Sequence, residues 1–201
     1  MIRVWSVGIV AAAVAAAWPA WAMDLPQPTV AYAAERVISV DDESEVMKVS
    51  VSPGRERLDR QGDDGEVQSE IIRHDRGIIW FVVHSEKIYM EMPLDAAEVK
   101  TLPWGDNVTM TRVGAETING MAAVKFRLAG DINGNLWMTA DNIPLRMVGS
   151  AVEEGVRYEI RFEQRNVIVG AQAPRLYEIP AGFKKVEMSD VDEPVPAQPR
   201  R

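Results

Sequence analysis

Six consecutive apolar residues, Ile78-Ile79-Trp80-Phe81-Val82-Val83, limit what this chain can fold into more than any other stretch. They lie inside "RHDRGIIWFVVHSEKIYMEMPL", Arg73 to Leu94, between the turn signals Asp75-Arg76-Gly77 and Ser85-Glu86. A short run rich in β-branched and aromatic residues reads as a strand, Ile78 to His84, with Lys87 to Met92 as the returning strand. Side chains alternate across a strand, so Ile78, Trp80 and Val82 point one way and Ile79, Phe81 and Val83 the other. Both faces are dry, and the strand must be covered twice. Two arrangements satisfy that demand: a packed layer on each side, or a packed layer on one side and the wall of an apolar cavity on the other.

Period-two alternation runs through the rest of the chain. In "VRYEIRFEQ", Val156, Tyr158, Ile160 and Phe162 alternate with Arg157, Glu159, Arg161 and Glu163. "AAVKFRLAG" repeats the pattern after Asn119-Gly120, a strong two-residue hairpin signal, and the strand before it is expected from Val108 to Ile118. Asp131-Ile132-Asn133-Gly134 reads as a turn into "NLWMTA", and Asp141-Asn142 before Pro144 as a turn into "LRMVGSAV". Upstream, "ERVISV", "EVMKVSVS", "RERLDRQ" and "EVQSEIIRH" are four more strands. Helices are expected only at Leu94 to Leu102, ended by Pro103, and at Thr29 to Glu35. About ten strands joined by short turns predict a mainly β, antiparallel single domain over residues 23–188.

Residues 1–22 have the form of a cleaved secretory signal peptide: Arg3, an apolar core from Val4 to Ala17, Pro19, and Ala20-Trp21-Ala22. The apolar run is short for a membrane span, so no transmembrane segment is expected in the mature chain, and a periplasmic location is. "SDVDEPVPAQPRR", from Ser189 to Arg201, has little to bury and reads as a disordered tail. There are no cysteines, so burial alone must stabilise the fold. The formal net charge of −8 becomes −9 once Arg3 is removed, which disfavours nucleic acid and anionic lipid surfaces as partners.

Signals for catalysis are missing. No cysteine nucleophile, Gly-x-Ser-x-Gly elbow, His-Glu-x-x-His helix or phosphate-cradling glycine loop occurs, and a Ser-His-Asp arrangement would need His74 or His84 to meet its partners by chance. The two histidines fall about 20 Å apart along the strand and cannot share a metal. Met90 and Met92, on one face, leave a cuprous site open, but core packing is the commoner use of such a pair. Asp131-x-Asn133 lacks the terminal glutamate of a calcium loop, the acidic residues Asp41, Asp42, Glu43 and Glu45 read as a solvated loop, and Asn107-Val108-Thr109 is a formal glycosylation acceptor. Neither a metal nor another cofactor is expected.

Several stretches resemble a known family: "RGIIWFVVHSEKIYMEMPL", "NGMAAVKFRLAG", "GNLWMTADNIPLRM" and "LYEIPAGFKKVEM", spanning roughly Ala34 to Met188. They look like small periplasmic domains of uncharacterised function, related in fold to the outer-membrane lipoprotein carrier protein and to the sigma-factor regulator that senses mislocalised lipoproteins. The resemblance implies an open antiparallel half-barrel with one or two short helices, whose concave apolar face takes up acyl chains. It implies a non-enzymatic carrier for an apolar or acylated ligand, such as a lipid or a lipoprotein. Trp80, Val82, Met90, Met92, Phe126, Met138, Met147 and Tyr158 are the candidate cavity wall. Two features depart from the pattern. "RERLDRQ" is polar for a cavity strand, and the helices available for a lid are few. No arginine here can be matched to the one that governs acyl binding in the carrier. The alternative expectation is an envelope protein-interaction or sensor domain whose core is filled by its own side chains.

Overall fold

The computed structural model describes residues 26–62, 65–94, 108–153 and 155–187. The expected leader, the tail from Ser189, and the expected helix beyond Leu94 lie outside these residues. The described chain forms one sheet of twelve strands: β1 (Tyr32–Val40), β2 (Glu43–Ser52), β3 (Arg55–Gln61), β4 (Val67–Arg73), β5 (Ile78–Val83), β6 (Ile88–Pro93), β7 (Val108–Ile118), β8 (Met121–Gly130), β9 (Ile132–Met138), β10 (Pro144–Glu153), β11 (Val156–Val169) and β12 (Lys184–Lys185). The order across the sheet is β12-β6-β5-β4-β3-β2-β1-β11-β10-β9-β8-β7. Every ladder is antiparallel except that of β12 with β6. The sheet is therefore two meanders, β1–β6 and β7–β11, joined where β11 pairs with β1. It does not close, in keeping with the expected open half-barrel.

Local chemistry sets the boundaries. Asn119 and Gly120 both take positive φ (49° and 81°), as a two-residue hairpin turn requires, and Ile118 pairs with Met121 across it. The turn expected at Asp131–Gly134 is tighter than its composition suggested: β9 already starts at Ile132, which is fully buried, and Asn133 Nδ2 donates to the Gly130 carbonyl. Thr29 to Glu35 is not a helix. Its alternating Tyr32 and Ala34 are buried and begin β1, because a period-two apolar pattern fits a strand face. The one helical turn among the described residues is a 3-10 turn, η1, at Pro174–Tyr177.

Partners across an antiparallel ladder point to the same side, so the registers assign each side chain to a face. One face, here called inner, carries Tyr32, Ala34, Arg36 and Ile38 of β1, Met47, Val49 and Val51 of β2, Leu58 of β3, Ile72 of β4 and Ile79 of β5. It continues through Phe126, Leu128, Leu136, Met147, Ile160 and Phe162 in the other meander. These residues make two large buried clusters, and each fully buried aliphatic or aromatic side chain stabilises by about 1.5–3 kcal/mol. The polar strand β3 fits because its charges are paired. Glu56 meets Arg36, Arg60 meets Glu45 and Glu70, Arg57 meets Asp59, and Arg55 meets Asp75.

The second covering that β5 demands is supplied by the chain's own end. Residues 174–187 cross the outer face as a strap, and Leu176, Tyr177, Ile179 and Phe183 pack on Ile71, Ile78, Trp80, Val82 and Tyr89. Most of the stretch "LYEIPAGFKKVEM" lies in this strap, which carries the two-residue β12 beside β6.

Candidate functional site

The inner face collects the sulfur of the chain. By register Met47, Met90, Met92, Met110, Met138 and Met147 all lie on it, contributed by β2, β6, β7, β9 and β10. Among the described strand methionines only Met121 falls on the other side. Phe126 and Tyr158, opposite Leu136 and Ala151, share the inner face. Six of the eight candidate wall residues are thus on one face: Met90, Met92, Phe126, Met138, Met147 and Tyr158. Met90, Met138 and Met147 are buried, whereas Met92, Phe126 and Tyr158 are part-buried. Trp80 and Val82 are not with them. They pair with Glu91 and Tyr89 on the outer face and pack beneath the strap, because β5 alternates and its inner positions are Ile79, Phe81 and Val83.

A polar centre interrupts the apolar inner face. Arg36 Nη2 donates to Glu56 Oε1 at 2.6 Å, and its guanidinium lies 5.5 Å from the centroid of the Phe162 ring. Gln164 Nε2 donates to the Tyr32 hydroxyl and to the Pro144 carbonyl. Burial pushes the Tyr32 phenol above its ordinary value. Pro28, Tyr32, Arg36, Glu56, His74 and Asn142 border a pocket of about 50 Å³, room for a water or two and far too small and polar for an acyl chain. The descent of the N-terminal segment over it is fixed by Thr29 N–H donating to the Asp141 carbonyl and Asn142 Nδ2 to that of Gln27.

The outer face holds a cluster that the sequence did not reveal. The Ser69 hydroxyl donates to Asp59 Oδ1 at 2.5 Å and lies 2.7 Å from His84 Nε2, while Arg57 Nη2 donates to Ser69 Oγ at 2.9 Å. A serine, a histidine and an aspartate do meet, but in the wrong order for nucleophilic catalysis. A hydroxyl has one proton, and here it goes to the carboxylate, so Nε2–H of His84 donates to Ser69 and cannot act as its base. Ser69 is also buried. Burial first and the Arg57 guanidinium second hold the His84 imidazole below its ordinary value, with Asp59 opposing them. Only residues 57, 59 and 69, two and twelve apart on neighbouring strands, could have signalled this cluster, and their spacing is that of any solvated strand face.

Among the described residues no group of three or more histidines and carboxylates is placed to hold a metal ion, and no helix is long and apolar enough to cross a membrane. Residues 37–156 match the model of a family described as a domain of unknown function, DUF4412. The chain belongs to the DUF4412 family. The match begins in β1 and ends at the first residue of β11, so the DUF4412 region contains both sides of the β5 strand while the strap lies beyond it. No curated protein matches significantly. Among solved structures, an uncharacterised conserved protein from Thermus thermophilus is 16% identical with a TM-score of 0.55, covering 79% of this chain and 91% of that one, and it shares the fold. A chain of the Pseudomonas aeruginosa MucA/MucB complex is 15% identical with a TM-score of 0.42, covering 79% of this chain, which spans 59% of that one. A domain described as an outer membrane lipoprotein-sorting protein domain, from Vibrio parahaemolyticus, is 8% identical with a TM-score of 0.37, covering 73% and 89%.

Proposed function

We propose that this DUF4412 chain is a non-catalytic binding domain of the cell envelope whose inner face takes up an apolar, acyl-bearing group, such as a lipid or the acylated end of a lipoprotein. The observation that carries this reading is the gathering of six methionines on one face from five strands. Unbranched, polarizable thioethers re-pack around a flexible chain at little cost, which Leu or Ile in the same places would not do. The hydrogen-bond order at Ser69 and His84 supports a non-catalytic role. A second reading, docking of a protein partner, is favoured by β7. This eleven-residue strand is the last of the sheet order, and Thr111 to Thr117 are all exposed. An exposed edge of that length suits strand addition.

The test is binding of a fluorophore-bearing acyl probe to the chain without residues 1–22. Of the tryptophans, Trp80 and Trp137 both fall on the outer side by register, so a probe with its own fluorophore is used. Met92→Glu with Phe126→Glu, at part-buried places on the same face, is expected to abolish probe binding while the cooperative melt stays close to wild type. An unfolded double variant, from two unpaired carboxylates costing several kcal/mol, would mean a filled core and would favour the β7 reading. Unchanged probe binding in a folded variant would refute the inner-face site.

A further inference from the structure

The strap is held in two different ways along its length. Its first part is anchored. Tyr177 is buried, its hydroxyl receives a hydrogen bond from Ser52 Oγ, its carbonyl receives one from Arg73 Nη1 at 3.0 Å, and Glu178 pairs with both Arg73 and Arg76. None of these contacts involves a histidine.

The last part is thinly held. Gly182 turns the chain at a φ of 86°, and Ala181, Lys184, Lys185 and Glu187 are exposed. Beyond this turn the strap is tied by Lys184 N–H to the Lys87 carbonyl and Val186 N–H to that of Tyr89, both at 2.9 Å, by an exposed Lys185–Glu91 ion pair, and by the Phe183 ring, which packs on the outer cluster and meets His84. The Phe183 and His84 rings lie at 75° to one another with centroids 5.5 Å apart. Such a segment opens locally at a small fraction of the cost of global unfolding.

We propose that residues 180–187 are an acid-released latch, docked on β6 while His84 is neutral and freed when His84 is protonated. The charged groups facing His84 are Arg57 and Asp59 of β3, with Arg57 Nη2 3.5 Å from Nε2. On its own turn Glu86 and Lys87 are exposed, and the strap brings Lys184 and Lys185 to the same end of β6. Asp59 is already shared between Arg57 and Ser69. A proton added at Nδ1 therefore puts a cation beside Arg57 and against the apolar Phe183 ring, which keeps water from solvating it while the latch is docked. The docked latch favours the neutral ring. Its stability is complete above the ordinary imidazole value near 6.5 and declines as the pH falls below that value toward the lower one of the docked state. The mechanism is independent of what the inner face binds. What it uncovers is the part of the β6 edge at Ile88 and Tyr89, together with the outer side of Val82.

Hydrogen exchange of the strap peptide in the folded protein tests this, with each rate divided by that of the free peptide at the same pH. Between pH 7.5 and 5.0, above the carboxylate range, protection of residues 183–187 is expected to fall by about threefold or more, while that of 174–178 stays constant. His84→Gln, which keeps a donor for Ser69 but does not titrate, is expected to remove the pH dependence. In the wild type the midpoint of the strap change should coincide with the His84 titration followed by NMR, a comparison that needs no variant to fold. Equal protection at both pH values, an unchanged pH response in His84→Gln, or a midpoint displaced from that of His84 would overturn the proposal.

Discussion

Gly134 and Gly149 face one another across β9 and β10 on the inner side, and neither place has room for a methyl group. A Cβ on Gly134 would stand 2.3 Å from the Val148 carbonyl oxygen and 2.5 Å from the Gly149 Cα, both backbone atoms that cannot rotate away. Gly134→Ala is expected to cost about 2 kcal/mol or more, lowering the melting temperature by several degrees in calorimetry. Gly114→Ala, where nothing lies within 4 Å, is expected to stay within about 0.5 kcal/mol. The sequence placed a turn at Gly134, the usual meaning of Asp-x-Asn-Gly. What composition could not convey is that the glycine serves a close approach of two strands rather than a bend. His84 illustrates the same limit from the other side. Alternation placed it correctly at the end of β5, but its partners Ser69 and Asp59 come from strands whose register no local pattern specifies.

At the scale of elements, β3 and β5 are the informative pair. The doubly apolar run of β5 required two coverings, and the structure supplies one cluster on each side. Which chain segment would lie outside was not legible, because "LYEIPAGFKKVEM" has too few alternating positions to be distinguished from a strand. The polarity of β3 argued against a place near an apolar face, yet the strand sits centrally in its meander because its charges find partners on β1, β2 and β4. The Arg36–Glu56 pair is the test of that account. Arg36 is 2% exposed, and Glu56→Gln, which removes the carboxylate held 2.6 Å from its buried guanidinium, is expected to cost about 3–5 kcal/mol in denaturant unfolding. Replacing both together, Arg36→Met with Glu56→Leu, should recover most of that loss. A single-variant cost no larger than that of an exposed pair, below about 1 kcal/mol, would show that water reaches the pair.

For the molecule as a whole, the mainly antiparallel sheet followed from alternation and turns, whereas the joint between the two meanders did not. Hairpins are local, and β1 and β11 are at opposite ends of the chain that builds the sheet. Their pairing, with Tyr32 opposite Val169, has a kinetic meaning. The first strand lies in the middle of the sheet, so the two meanders stay separate until nearly the last strand has been made. Contacts so distant in sequence form slowly, on the millisecond to second scale typical of non-local β topologies. A chain ending at Gly155 keeps ten of the twelve strands but loses the joint, and its thermal transition is expected to be broad and non-cooperative; a sharp melt would show that the β1–β6 meander folds alone. On a growing polypeptide of this topology one edge of β1 stays unpaired, open to other strands, until β11 has been made.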